Sequence, residues 1–272
     1  MRPRQPAVAG LFYPAEPARL LSTVRSLLDE MPAQPAAARA AIAPHAGYVY
    51  SGRTAARVFA GLDVPRRVIV VAPNHTGQGE SRHGGSVLAL GSMLTPMGEV
   101  PVDEPLAARL LAECPLLEDD PAAHRREHAV EVELPFLLAR RPDVTVVPVV
   151  LGWGDWTRTR QLGEALAAVV REQPEPVLLL ASSDMNHYEA ADVNARKDRL
   201  ALVEVERLDG EALLAVTRHH RVTMCGRVPA AAVCHAARLL GATRADVVHY
   251  SHSGEVTGDH SSVVSYAGVM IA

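Results

Sequence analysis

The sequence predicts an α/β layer architecture built on one largely buried sheet. Three observations carry this. Val68–Ala72, Val144–Leu151 and Val177–Ala181 are apolar runs rich in valine and leucine, and too short to be helices. Segments of helical periodicity separate them. The runs are nearly continuous rather than alternating, which is how strands read when both faces are buried.

The elements follow in order. Val8–Pro14 is irregular, and residues 17–30 form an amphipathic helix ended by Pro32-Ala-Gln-Pro35. Ala40–Ala43 is a short strand that stops at Pro44-His45-Ala-Gly47. Ser51 is expected to N-cap a helix running through Leu62. The strand Val68–Ala72 gives way to Pro73-Asn-His-Thr-Gly77, and Ser86–Leu90 is a further strand. Helices are expected over 103–113 and over 122–139, the latter kinked or ended by Pro135. Val144–Leu151 is a strand and 157–172 a helix. Val177–Ala181 ends at Ser182-Ser-Asp184, and helices over about 192–206, 210–218 and 227–241 follow. Two closing strands, near 246–252 and 262–271, are consecutive, so part of the sheet is expected to be antiparallel. With no linker, repeat or low-complexity tract, residues 1–272 are expected to be a single domain.

Composition excludes several classes. Net charge is −4 and aromatics are 4% of residues, which offers neither a basic footprint nor stacking platforms for nucleic acid. No apolar run approaches a membrane span, and no apolar stretch follows Met1-Arg-Pro-Arg-Gln-Pro6. The three cysteines, Cys114, Cys225 and Cys234, suggest no disulfide framework. A cytoplasmic protein is the expectation. Lys197 is the only lysine and lies in a charged stretch, which argues against Schiff-base and phosphate-loop chemistry. No Gly-x-Ser-x-Gly elbow is present.

The histidines are the strongest chemical signal. In α/β sheets ligands bind beyond the carboxyl ends of strands. Three strand-like runs end in loops bearing His45, His75, and Asp184 with His187. Adjacent strands would bring these groups together, and neutral imidazole is the commonest protein ligand for iron, zinc and copper. A single histidine in such a loop is more often just hydrogen-bonded, and Asp184 suits a simple N-cap equally well. Three equivalent positions even the odds. On a continuous helix His124, His128 and Glu131 would share a face. That face is either a metal-binding or supporting group beside the cleft, or an ordinary polar surface. Cys225, in Met224-Cys-Gly-Arg-Val-Pro229, sits at a helix start, where a thiol can have a lowered pKa; otherwise it is a small buried hydrophobe, as Cys114 and Cys234 are expected to be.

Taken in order, the motifs resemble the Memo family, which includes AmmeMemoRadiSam system protein B. The matching pieces are Val8-Ala-Gly-Leu-Phe-Tyr-Pro14, Pro44-His-Ala-Gly-Tyr-Val-Tyr-Ser-Gly52, Pro73-Asn-His75, Glu127-His-Ala-Val-Glu-Val-Glu-Leu-Pro-Phe136, Ser182-Ser-Asp-Met-Asn-His-Tyr188, Cys225-Gly-Arg-Val-Pro229, Gly258-Asp259 and Ser262-Val-Val-Ser-Tyr-Ala267. They span nearly the whole chain.

The resemblance implies a three-layer α/β/α fold with a mixed central sheet, like the class III extradiol dioxygenase catalytic domain. It implies metal ligands at His45, His75 and Cys225, where the dioxygenases use two histidines and a carboxylate on non-haem iron. It implies that His187 moves protons, with Asp184 orienting it, and that His128, Glu131 and Glu127 support the ligands. Iron is the expected metal, with copper or zinc as alternatives, since a thiolate favours softer metals. If the protein is an enzyme, a metal-dependent oxidoreductase acting on an unknown small molecule or peptide is expected. A metal-independent peptide- or protein-binding module and a zinc-dependent hydrolase remain as alternatives. The same resemblance implies a functional link to radical-SAM and AMMECR-type proteins.

Overall fold

The valine and leucine runs become the middle of a large mixed sheet. A computed structural model of the chain describes residues 3–272. The first half contains α1 (Pro17–Glu30), β1 (Ala40–Ala43), α2 (Tyr48–Gly61), β2 (Arg67–Pro73), β3 (Gly85–Val87), β4 (Ser92–Thr95), β5 (Gly98–Pro101), α3 (Glu104–Glu113) and β6 (Leu117–Asp119). Then come α4 (Pro121–His124), a 3-10 turn (Glu131–Glu133), α5 (Leu134–Arg140), β7 (Thr145–Leu151), α6 (Trp156–Arg171), β8 (Val177–Ser182) and β9 (His187–Glu189). The chain continues through α7 (Ala191–Glu206), α8 (Gly210–His219), α9 (Arg227–Leu239), β10 (Ala245–His252), α10 (Gly254–Thr257) and β11 (Val263–Ile271).

The sheet order is β10-β11-β1-β8-β2-β7-β3-β6, with β9 added to β11; β4 and β5 form a separate hairpin. β1, β8, β2 and β7 run parallel, β10 and β11 pair antiparallel with their neighbours, and β3 is antiparallel to β7 but parallel to β6. The α/β prediction, with a partly antiparallel sheet, is therefore correct. Every residue of β1 and β8 and all of β2 beyond Arg67 are buried, because helices pack on both faces. One layer groups α1, α2 and α5; the other centres on α9, which touches β1, β2 and β8 and carries α6 and α8. No described helix is long and apolar enough to cross a membrane.

Side-chain caps fix several helix starts. Asp103 accepts from the Leu106 amide, Asp155 from Arg158 and Asp209 from Ala212. Two expectations fail here. α2 begins at Tyr48 after Gly47, and the Ser51 hydroxyl instead donates back to the Ala46 carbonyl, 2.9 Å away. The predicted helix over 122–139 is broken into α4, an irregular stretch, the 3-10 turn and α5. Pro135 opens α5 rather than kinking it, which its fixed φ and missing N–H suit.

Register positions the site. Ala43 lies opposite Ser182, Val71 opposite Ala181, and Pro73 opposite Leu151. The carboxyl ends of four parallel strands thus share one edge, and the loops bearing His45, His75, Asp184 and His187 all leave from it.

Candidate metal centre

Each strand-end loop is tied in place before it presents its histidine. The Ser183 amide donates to the Ala43 carbonyl at 2.9 Å, joining the ends of β1 and β8. In the loop after β2, Asn74 Oδ1 accepts from Thr76 Oγ1 and the Gly77 amide at 3.0 Å each. The segment before α9 closes against β8 so tightly that a Cβ on Gly226 would lie 2.4 Å from the Ser182 carbonyl oxygen and from Ser183 Cβ. Glycine at 226 is what lets Cys225 reach the strand ends.

The result is a cluster. The His45 and His75 ring centroids are 5.1 Å apart, His45 and His128 are 5.4 Å apart, and His75 and His128 stack at 4.7 Å. One ligand atom from each of His45, His75 and Cys225 falls within 4.8 Å of the others, and so does one from each of Asp184, His187 and Cys225. His45 Nε2 stands 3.3 Å from Cys225 Sγ.

Hydrogen bonds fix which face of each ring is free. His75 Nδ1 is 2.9 Å from Glu127 Oε1, and the His75 amide donates to Glu127 Oε2 at 2.6 Å. Only a protonated Nδ1 can donate to a carboxylate, so the lone pair of His75 is on Nε2. His45 Nδ1 is 2.8 Å from Ser182 Oγ. That hydroxyl has two further neighbours at 2.7 Å, the Ala129 carbonyl and Glu133 Oε1. The carbonyl can only accept, so it takes the single serine hydrogen, and Ser182 must accept from His45 and Glu133. Burial holds the Glu133 carboxyl far above the ordinary carboxylate range, in its neutral donor form. Its other oxygen has no partner, which a neutral acid tolerates better than an anion would. His45 therefore also carries its proton on Nδ1 and its lone pair on Nε2.

Charge follows the same logic. Burial, then the neighbouring His75, His128 and His187, hold His45 well below its ordinary pKa, so it is neutral. Burial also lowers His128 and His187. For Glu127 burial pulls upward, but the hydrogen bonds from His75 and from the Ala129 amide outweigh it and keep the group ionised. Asp184 is raised by burial to about 7 although the His45 and Ala46 amides donate to it. The thiol of Cys225 is pushed up by burial and by Asp184, the reverse of the lowering expected at a helix start.

The residues present fit a metal ion. Two imidazoles anchored through Nδ1, beside a sulfur, are an established donor set. Tetrahedral ligands about 2.0–2.3 Å from one ion lie roughly 3.3–3.8 Å from each other, and the His45–Cys225 separation of 3.3 Å stands at the short end of that range.

Other predicted residues are placed differently. His187 is in the cluster, but Asp184 does not orient it: Asp184 Oδ1 accepts from the His45 and Ala46 amides at 2.9 and 3.3 Å, and His187 Nδ1 has no partner. Glu131 is not beside the ligands. Buried, it receives Arg4, the Ala7 and Val8 amides and Tyr13, and so pins the N-terminal segment. His124 faces away, with burial lowering its pKa to about 4. Sequence reasoning missed Ser182, Glu133 and Asn186. Asn186 Oδ1 accepts from the Thr223 amide at 2.8 Å, and Thr223 Oγ1 accepts from the His187 amide at 2.8 Å, which couples β8 to the Cys225 segment. For Glu133 there was a signal: an acid between Val132 and Leu134-Pro-Phe136 has nowhere polar to go.

Known proteins share the fold and the family of this chain. A solved structure of an uncharacterized protein, JW3007, from Escherichia coli K12 superposes with a TM-score of 0.50 at 16% identity, covering 84% of this chain and 98% of that one, which speaks to fold alone. A MEMO1 family protein of Aquifex aeolicus is 39% identical over 99% of both chains. One from Methanopyrus kandleri, MK0963, is 35% identical over 98% of each. A family model described as Memo-like protein matches residues 4–270, and the chain belongs to the Memo family.

Proposed function

We propose that this protein is a cytoplasmic, metal-dependent redox protein whose centre is held by His45, His75 and Cys225. The observation that carries this is the pair of imidazoles pinned through Nδ1, one on Glu127 and one on Ser182, with both Nε2 atoms left for a cation beside a sulfur. Non-haem iron is the metal best matched to two imidazoles and a thiolate in a redox role, with copper next. Such an ion, when bound, supplies one-electron and dioxygen chemistry. The chain's own groups do the rest. His187 lies within reach of the cluster with an unpartnered Nδ1 and a lowered pKa, which suits a base that moves a proton. The neutral Glu133 and the ionised Glu127 keep both ligand rings in one tautomer.

The donor set equally suits zinc, whose three-ligand sites are hydrolytic. A metal-independent peptide- or protein-binding cleft draws support from exposed Leu11 in the N-terminal segment, Val49 and Tyr50 in the first turn of α2, and Tyr188 in β9 beside His187. Elemental analysis of anaerobically purified protein separates the three. About one equivalent of iron or copper per chain is expected, falling to traces in His45→Ala and Cys225→Ala. Stoichiometric zinc would favour the hydrolase. Traces of metal in all samples would overturn the metal reading.

A further inference from the structure

Beside the cluster lies a cavity of about 460 Å³, whose lining includes Pro73, Trp153, Arg218, Arg221, Cys225 and Arg227. No aspartate or glutamate lines it. Its three arginines, Arg218, Arg221 and Arg227, have no acidic partner among the described residues, whereas Arg67, Arg109, Arg158, Arg160 and Arg196 each pair with a carboxylate. Arg218 donates to the Gly154 carbonyl at 3.2 Å, and an Arg227 terminal nitrogen lies 3.7 Å from where a Cβ on Gly154 would sit. The two guanidiniums thus converge on one loop while keeping most of their five N–H donors free.

The backbone adds to this. Arg221 has a φ of 53°, a left-handed conformation shared only by Tyr188 and Leu208 among described non-glycine residues. A long side chain there is mildly strained. The first turn of α9 forms part of the wall, and its N-cap Gly226 supplies no side-chain cap, so the positive end of a 13-residue helix contributes as well.

We infer that this cavity holds the anionic group, a carboxylate or phosphate, of a small-molecule substrate whose remainder reaches the centre at Cys225. A planar guanidinium matches both groups in bidentate fashion. Three unpaired cations with no acid among them attract anions and repel cationic ligands. The role as a substrate pocket rests on the metal-centre reading, while the anion binding itself does not.

The test is calorimetric titration of metal-free and metal-loaded protein with inorganic phosphate and with phthalate, using neutral phthalamide as control. Wild type should bind at least one of the two anions, more weakly as salt rises, and should ignore phthalamide. Arg221→Gly suits the left-handed backbone, so it should fold at least as well while weakening anion binding roughly tenfold or more. Arg218→Gln and Arg227→Gln should weaken it similarly, and Arg160→Gln, remote from the cavity, should not. Unchanged anion affinity in the three cavity variants, or no binding of either anion by wild type at tens of millimolar, overturns the proposal. Elemental analysis of the same preparations keeps the two readings apart. Absent metal with anion binding lost in the variants would remove the metal centre and leave the anion pocket. Bound metal with anion affinity unaltered would do the reverse.

Discussion

Glu127 grips His75 twice, through Nδ1 at 2.9 Å and through the backbone amide at 2.6 Å. One carboxylate therefore sets both the tautomer of the ring and the path of the loop that carries it. It also accepts the Ala129 amide at 3.0 Å, so the loop after β2 and the segment that follows α4 are drawn onto one anion.

Glu127→Gln should expose that double role. A glutamine oxygen still accepts from Nδ1, but its NH₂ cannot accept from the His75 amide. Metal affinity should fall roughly 10- to 100-fold with the fold retained, measured by anaerobic competition against a chromophoric chelator. An affinity within about twofold of wild type would remove Glu127 from the support of His75.

Ser182 and Glu133 make a separable pair of tests. Ser182→Ala leaves the His45 Nδ1 proton, the Ala129 carbonyl and Glu133 without their shared partner in a dry interior. It should cost about 1–3 kcal/mol of stability and weaken metal binding roughly tenfold. Glu133→Gln preserves shape, neutrality and a donor, so it should stay near wild type in both thermal melting and metal titration. If the glutamine variant is instead as damaged as Glu133→Ala, the neutral-donor assignment is wrong.

Glu131 should behave in the opposite sense. Its partners are Arg4, Tyr13 and two backbone amides of the N-terminal segment, all away from the ligand atoms. Glu131→Ala strands a buried guanidinium and should cost about 3–5 kcal/mol. The folded fraction should still titrate with metal as wild type does. Chemical unfolding and metal titration on one preparation check this; intact stability with lost metal binding would return Glu131 to the cleft.

These three acids also show where the sequence was readable and where it was not. The apolar runs and their punctuating loops located β1, β2, β7 and β8, and so the edge where His45, His75 and His187 meet. Local pattern could not show that the 122–139 segment would abandon helix. Asp120 caps a single short turn, after which Glu127 spends its oxygens on the amides of His75 and Ala129, and Glu131 on those of Ala7 and Val8. Such bonds to distant backbone outbid helical propensity and are invisible to periodicity. The shared-face argument for His124, His128 and Glu131 failed for that reason. His128 reached the cluster by tertiary packing alone. Three-residue strands such as β6 and β9 carry too few residues to show any period.

Cys225→Asp tests the sulfur itself. Replacing it with a carboxylate gives two imidazoles and an oxygen, a harder set that still suits iron(II) and zinc but serves copper(I) poorly. The variant should hold iron(II) within roughly tenfold of wild type and lose copper(I) affinity by roughly 100-fold or more, read by competition with a metal-specific chelator. A second consequence follows from Asp184, whose ligand oxygen lies within 4.8 Å of the sulfur. Placing another carboxylate there without a cation sets like charges together in a buried site. Metal-free Cys225→Asp should therefore melt below wild type, and iron(II) should restore more stability to it than to wild type, because binding relieves that repulsion. Cys225→Ser, which removes the thiolate without adding charge, should lose copper(I) affinity without the extra destabilisation. If copper(I) affinity survives both substitutions, the sulfur is not a ligand.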